Sequence, residues 1–129
     1  MTRQAARPAT GTFEVEAWDA QTYDEQEGTG LARATLTKHY HGDLTGSGTT
    51  VLLTVQSPAG PAAYVGIERF TGTLRGRQGS VVLRHSVAEP PATAVLVPAT
   101  GTGAFEGLTG VLTIEIDEQG GHHYTFDLT

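Results

Sequence analysis

The feature that most constrains the fold of this chain is a repeated pattern, in which short alternating or β-branched segments are separated by clusters of Gly, Pro, Asp or Ser. Alternation with a period of two residues, bounded by turn-forming residues, is typical of β-strands. The 17 glycines and the scarcity of Lys, Met and long Ala, Leu or Glu runs disfavour helices. The sequence therefore predicts an all-β fold with about eight strands, at roughly residues 12–18, 31–41, 49–57, 62–73, 79–88, 93–99, 110–117 and 122–128.

The connections between these strands are mostly short, which predicts a meander of antiparallel neighbours. About eight such strands close into a single antiparallel β-barrel, whose interior is packed or holds one small ligand. The alternative is an open β-sandwich. Ala20–Gly30 and Ala99–Gly110 are expected to be loops at a barrel mouth, the second with at most one helical turn around Ala104–Leu108. We expect residues 1–10 to be a flexible N-terminal tail and residues 11–129 to form one barrel domain.

Composition disfavours several classes of partner and chemistry. The formal net charge of −6 disfavours nucleic acid, because phosphate backbones are bound by clustered Lys and Arg. With no cysteine, the chain has no disulfide and no thiolate chemistry. No apolar run approaches the roughly 20 residues that cross a bilayer, and residues 1–10 lack the apolar core of a signal peptide. We therefore expect a cytoplasmic protein with neither nucleic-acid nor membrane partners.

One predicted hairpin places two titratable residues inside the barrel. A two-residue turn at Gly76 and Arg77 would have Gly in the first position, as a type II′ turn requires. Glu68 then faces His85 directly, on the side opposite to the neighbouring arginines, with Cβ atoms about 5 Å apart. A carboxylate beside an imidazole in an apolar interior can act as an acid–base pair. The alternative is a structural ion pair that satisfies two buried polar groups.

A metal site was the other chemistry to consider, because His39 and His41 share one face of a predicted strand. Many β-barrel metal sites present two imidazoles at this spacing. Where the cupin pattern expects a Glu, however, this chain has Thr45 and Gly46. We therefore predict no metal and no cofactor. Lys38, on the opposite face of the same strand, is expected to be solvated.

Four segments of the sequence are similar to known proteins: TFEVEAWDAQTYDE at 12–25, ATLTKHYHGDLTGSG at 34–48, YVGIERFTGTLRGRQGSVVLRH at 64–85 and VPATGTGAFEGLTG at 97–110. Through them the chain resembles, over nearly its whole length, a bacterial family of uncharacterised function with an allene oxide cyclase-like barrel. The last segment resembles the Gly-Thr-Gly-x-Phe-x-Gly turn of allene oxide cyclases and dirigent proteins. The resemblance implies an eight-stranded barrel but leaves the substrate open, because one fold hosts many functions.

Three functions are compatible with these observations. In the first, the lumen binds a small apolar or amphipathic molecule through Tyr64, Phe70, Trp18, Leu83 and Glu14. In the second, the protein is a cofactor-independent cyclase or isomerase of a small hydrophobic metabolite, in which Glu68, poised by His85, acts as the acid or base while the cavity fixes the shape of the substrate. The third is a structural or assembly role without a ligand. The resemblance also implies a homo-oligomer, a dimer or a trimer.

Overall fold

In the part of the chain that the structure describes, nine β-strands form where turn residues separate the β-branched and aromatic segments. The computed structural model describes residues 7–87 and 91–129. The strands are β1 (Ala9–Gln26), β2 (Thr29–Gly42), β3 (Leu44–Ser57), β4 (Gly60–Leu74), β5 (Arg77–Val87), β6 (Ala92–Leu96), β7 (Thr102–Gly103), β8 (Gly110–Ile116) and β9 (His122–Leu128). The first strand begins at Ala9, within the segment expected to be a tail, and residues 1–6 of that segment lie outside the described residues.

Eight of the nine strands form one closed antiparallel ring. Each of β1 to β5 pairs with the next strand, β6 pairs with β8, β8 pairs with β9, and β9 pairs back with β1. The short β7 joins only the start of β5. The predicted all-β antiparallel barrel with meander connections is therefore confirmed, and the closed ring rules out an open sandwich.

The prediction of a loop at Ala20–Gly30 is wrong, because β1 and β2 continue through this segment as a hairpin. Glu27 and Gly28 join the two strands with φ angles of 53° and 83°, as a two-residue type I′ turn requires. The strand β9 pairs with β1 only from Ala9 to Phe13. The segments of β1 to β4 that lie beyond this pairing therefore extend past the closed ring and form a wall at one mouth of the barrel.

A bulge in β1 sets the direction of Trp18. The register between β1 and β2 shifts between Glu16 and Asp19, so that both Ala17 and Trp18 lie opposite Leu36. Ala17 takes the unusual φ angle of 54°. One extra residue reverses the alternation of side chains along a strand. Trp18 consequently lies on the face of Leu36, toward the lumen.

The second predicted loop, Ala99–Gly110, contains the short strand β7 and consecutive tight turns, in agreement with the expectation of at most one helical turn. The backbone N–H groups of Phe105 and Glu106 donate to carbonyl oxygens three residues earlier, at 3.0 and 3.1 Å. The Phe105 ring is fully buried and packs edge-on against Phe70, with centroids 5.7 Å apart. Across residues 7–87 and 91–129, no helix has the length and apolar character needed to cross a membrane.

The lumen is layered along the barrel axis. Toward the end where β7 joins β5, it is packed solid by large buried side chains, which include Tyr40, Phe70, Leu83, Phe105, Leu112, Tyr124 and Phe126. Toward the mouth lies a smaller cluster of Ala34, Leu36 and Leu52 with Tyr64 against it. The four buried polar residues fall between the two clusters in strand register: Lys38, Thr50, Glu68 and His85.

Candidate functional site

The hairpin of β4 and β5 brings Glu68 and His85 into contact, but in a register two residues away from the predicted one. Glu68 pairs with Leu83, and His85 pairs with Gly66. The turn is centred on Arg75 and Gly76, with φ angles of 49° and 83°, so it is a type I′ turn and not the predicted type II′ turn. Direct opposition of Glu68 and His85 is therefore wrong. A shift of two residues keeps every side chain on its face, which is why both remain inside.

Glu68 is fully buried and accepts hydrogen bonds from three side chains. His85 Nε2 lies 2.5 Å and Lys38 Nζ 2.9 Å from its Oε1 atom, and the Tyr40 hydroxyl donates to Oε2 at 2.6 Å. Because a carboxylate only accepts, we assign the ring hydrogen of His85 to Nε2. We call these four residues the Glu68 cluster.

A glycine in the intervening strand makes the Glu68 cluster possible. Lys38 in β2 pairs with Gly48 in β3, and Gly48 pairs with Phe70 in β4, two residues from Glu68. A Cβ atom at Gly48 would overlap the Glu68 carboxyl group. Without a side chain at this position, the carboxylate reaches across β3 to Lys38 and Tyr40.

The predicted solvation of Lys38 is wrong, since its side chain is only 7% exposed. The sequence carried a signal that could have located it. Leu36, Lys38 and Tyr40 alternate with Thr37 and two histidines, and the face with Leu and Tyr is the one that turns inward. A lysine on an inward face requires a buried carboxylate, and Glu68 supplies it.

The cluster holds Glu68 ionised and His85 neutral. Burial alone would raise the pKa of Glu68, but the hydrogen bond from His85, the charge of Lys38 and the hydrogen bond from Tyr40 together lower it to about 2. Burial lowers the pKa of His85, and the hydrogen bond to Glu68 only partly offsets this effect. Burial and the nearby Glu68 charge raise the pKa of Tyr40 well above its usual value. At neutral pH, the charges of Lys38 and Glu68 cancel.

A cavity of about 350 Å³ lies between the Glu68 cluster and the mouth. Lys38, Thr50 and His85 form its floor, and Glu68 lies behind them, out of reach of the cavity. The walls are largely apolar and include Phe13, Val15, Trp18, Leu36, Leu52, Val55, Tyr64, Ile114 and Ile116. His122 completes one side, where its ring stacks on Phe13 with centroids 4.8 Å apart.

The structure divides the predicted ligand-binding residues among three places. Trp18 and Tyr64 line the cavity. Phe70 and Leu83, each 1% exposed, belong to the packed core and do not line it. Glu14 points out of the barrel, where its carboxylate lies 2.9 Å from His41 Nε2. The alternation of β1 explains this position, because Phe13 and Val15 on either side point inward.

The two histidines considered as metal ligands also lie on the outside of the barrel. His39 contacts Glu16 at 3.0 Å and His41 contacts Glu14 at 2.9 Å, as diagonal contacts between β1 and β2. Among the residues that the structure describes, no three His, Asp or Glu side chains are grouped closely enough to hold a metal ion.

Comparisons with known proteins support the fold, and neither the matching family nor the similar structure is described with an activity. A family model described as a protein of unknown function (DUF3224) matches residues 9–128. A crystal structure of a DUF3224 protein of unknown function from Shewanella oneidensis MR-1 is 31% identical, with a TM-score of 0.83 over 95% of each chain. None of the curated proteins matches. The resemblance to a bacterial family of uncharacterised function is confirmed, whereas the narrower likeness to allene oxide cyclases is not. The chain belongs to the DUF3224 family.

Proposed function

We propose that the barrel binds a small amphipathic molecule in its lumen, with the apolar part against the walls and the polar part toward the floor. The observation that carries this proposal is the layering of the lumen, in which an open apolar cavity ends on buried polar side chains. Cavities with apolar walls and a few convergent polar groups are typical of small-molecule sites.

The size of the cavity limits the ligand. A volume of about 350 Å³ is near the lower end of the range for ligand pockets. It accommodates roughly a dozen non-hydrogen atoms at about 30 Å³ each. Such a molecule would also cover apolar side chains that are exposed at the mouth, among them Trp18 at 56% and Ile116 at 66%.

The second candidate is a cofactor-independent isomerase or cyclase, which the contact between His85 and Glu68 favours. A neutral imidazole held by a buried carboxylate at a cavity floor is arranged as a general base. Glu68 is poorly suited to exchange protons itself, because its pKa is about 2 and three donors occupy its oxygens. In this candidate, Glu68 is a positioning residue and His85 handles the proton.

The expected homo-oligomer remains a proposal, supported by apolar side chains on the outside of the barrel. Leu53, Val65 and Ile67 project from adjacent strands of the outer face and are each about half exposed, at 49%, 54% and 51%. A contiguous exposed apolar patch is a common feature of protein interfaces. Light scattering at several protein concentrations distinguishes a monomer from a dimer or trimer.

Binding in the lumen is testable through Trp18, because it is the only tryptophan of the chain and lines the cavity. We expect a primary alcohol of about ten carbons to change its fluorescence saturably. Thr54→Phe, which fills the cavity, should weaken binding by an order of magnitude or more. The matched control, Leu53→Phe, adds bulk to the outer face and should leave binding unchanged. Binding that survives Thr54→Phe would place the ligand elsewhere and overturn the proposal.

A further inference from the structure

The cavity floor contains a buried hydroxyl that the protein does not satisfy. Thr50 is fully buried in β3, between Leu36 of β2 and Glu68 of β4. Its Oγ1 atom is the one buried side-chain nitrogen or oxygen, within residues 7–87 and 91–129, that has no hydrogen-bond partner. Buried polar groups are almost always paired. Since Thr50 lines the cavity, a ligand atom can supply the missing partner.

Lys38 adds a second donor at the cavity floor. An ammonium group has three N–H bonds, and the hydrogen bond of Lys38 to Glu68 uses one of them. Its Nζ atom also lies 5.0 Å from the centre of the Phe13 ring, toward the cavity wall. The oxygens of Glu68, in contrast, are occupied by Lys38, His85 and Tyr40. Lys38 and Thr50 therefore offer donors at the floor, and the ligand group that matches both of them is an acceptor oxygen.

The charge of the floor limits which acceptor fits. Lys38 and Glu68 neutralise each other, and burial lowers the pKa values of His85 and His122, which keeps both rings neutral at pH 7. A carboxylate would add a buried charge with no free cation opposite it, which is costly in a low-dielectric interior. The formal net charge of −6 adds a further penalty for an anion.

We infer that the site selects an uncharged molecule with a carbonyl-type oxygen, which accepts hydrogen bonds from Lys38 and Thr50 while its hydrocarbon part fills the apolar cavity. This inference rests on the proposed function. The inference specifies the polar group of the ligand, which the shape of the cavity alone does not specify.

Three isosteric probes of about ten carbons test the inference through Trp18 fluorescence. They are a methyl ketone, the alkene in which CH₂ replaces the carbonyl oxygen, and the fatty carboxylate of equal length. We expect the ketone to bind at least about ten-fold more tightly than the alkene, because a hydrogen bond to a charged donor contributes that much. The carboxylate should bind more weakly than the ketone at pH 7.

Two threonine variants connect the selectivity to the floor. Thr50→Val keeps the side-chain shape but removes the hydroxyl, so the preference for the ketone should fall by several-fold, while the thermal midpoint stays equal or rises because an unpaired polar group is removed. Thr54→Val is the matched control, because Thr54 lines the same cavity on the same strand away from Lys38. It should leave the preference unchanged, and Thr50→Ser should retain most of it.

The outcomes separate the two proposals. Equal binding of ketone and alkene would overturn the inference and leave the lumen as an apolar binding site. Tightest binding of the carboxylate would overturn the requirement for an uncharged ligand. A ketone preference that survives Thr50→Val would overturn the role of Thr50. If none of the three probes bound to the unmodified protein, the proposed function itself would be overturned, and the inference with it.

Discussion

Lys38 and Glu68 form a buried ion pair between strands that are not neighbours, with Nζ 2.9 Å from Oε1 and side chains that are 7% and 0% exposed. The pair passes over β3 at Gly48, where there is no side chain to separate the partners. Isolated charges are very costly in a barrel core, so each partner depends on the other for its burial. The Glu68 cluster therefore acts as one unit, and its members should respond to mutation together.

Gly48→Ala should destabilise the protein, because the new methyl group would overlap the Glu68 carboxyl group. We expect a loss of about 1–3 kcal/mol in the free energy of unfolding, the usual effect of overpacking a core. Urea denaturation measures it. Gly30→Ala is the matched control, because a Cβ at Gly30 meets no atom within 4 Å and should have little effect. Similar losses for both variants would show that the Gly48 position is not specially constrained.

Glu68→Gln should leave the Lys38 charge buried without a counterion, at a cost of about 3–5 kcal/mol in the free energy of unfolding. The exposed Glu16, which contacts His39, provides the control, and Glu16→Gln should change stability by less than about 1 kcal/mol. Chemical denaturation of both variants tests the contrast. A mild effect of Glu68→Gln would contradict the dependence of the buried Lys38 charge on Glu68.

Removing both charges should lower the free energy of unfolding by less than the sum of the two single losses. Lys38→Met leaves Glu68 buried with two of its three donors, whereas Lys38→Met combined with Glu68→Gln leaves no buried charge. We expect a coupling of at least about 1 kcal/mol in a double-mutant cycle, in the direction that makes the double variant more stable than additivity predicts. Strict additivity of the two losses would contradict a direct pair.

Acid should destabilise the protein in two stages. The pKa of His85 is lowered from 6.5, so the unfolded chain takes up a proton that the folded state resists, and stability begins to fall as the pH drops below about 6.5. The pKa of Glu68 is lowered from 4.5 to about 2, so its contribution is complete above pH 4.5 and is lost as the pH falls through that interval. This second loss amounts to about 3 kcal/mol.

Unfolding free energies between pH 8 and about pH 2 would measure both stages. His85→Gln should flatten the first stage, because glutamine keeps a donor toward Glu68 and does not titrate. His123→Gln is the control, since that histidine lies on the exterior beside Asp117. A profile that stays flat from pH 7 to pH 5 in the unmodified protein would contradict the lowered pKa of His85.

The fold was largely predictable from local patterns in the sequence. Strand positions, the meander and the inward faces of Glu68 and His85 follow from alternation and turn residues, which act over a few positions along the chain. The inward direction of Glu68 was predicted correctly although the predicted hairpin register was wrong by two residues. This is because the side of the sheet on which a side chain lies depends only on whether a register shift is odd or even. Alternation also carried the signal for a buried Lys38, although lysine is rarely buried.

Contacts between residues far apart in the sequence could be identified only from the tertiary structure. Lys38 and Tyr40 reach Glu68 because β2 and β4 pair with the two edges of β3, on either side of Gly48, and no pattern within a single strand predicts this approach. The bulge at Ala17 likewise turned Trp18 toward the cavity, against the simple alternation of β1. Alternation in the sequence therefore determined which residues face inward, except where the bulge reverses it at Trp18. Three-dimensional packing determined which polar groups meet and where the lumen stays open, because these depend on side-chain volumes and hydrogen bonds summed across the whole ring.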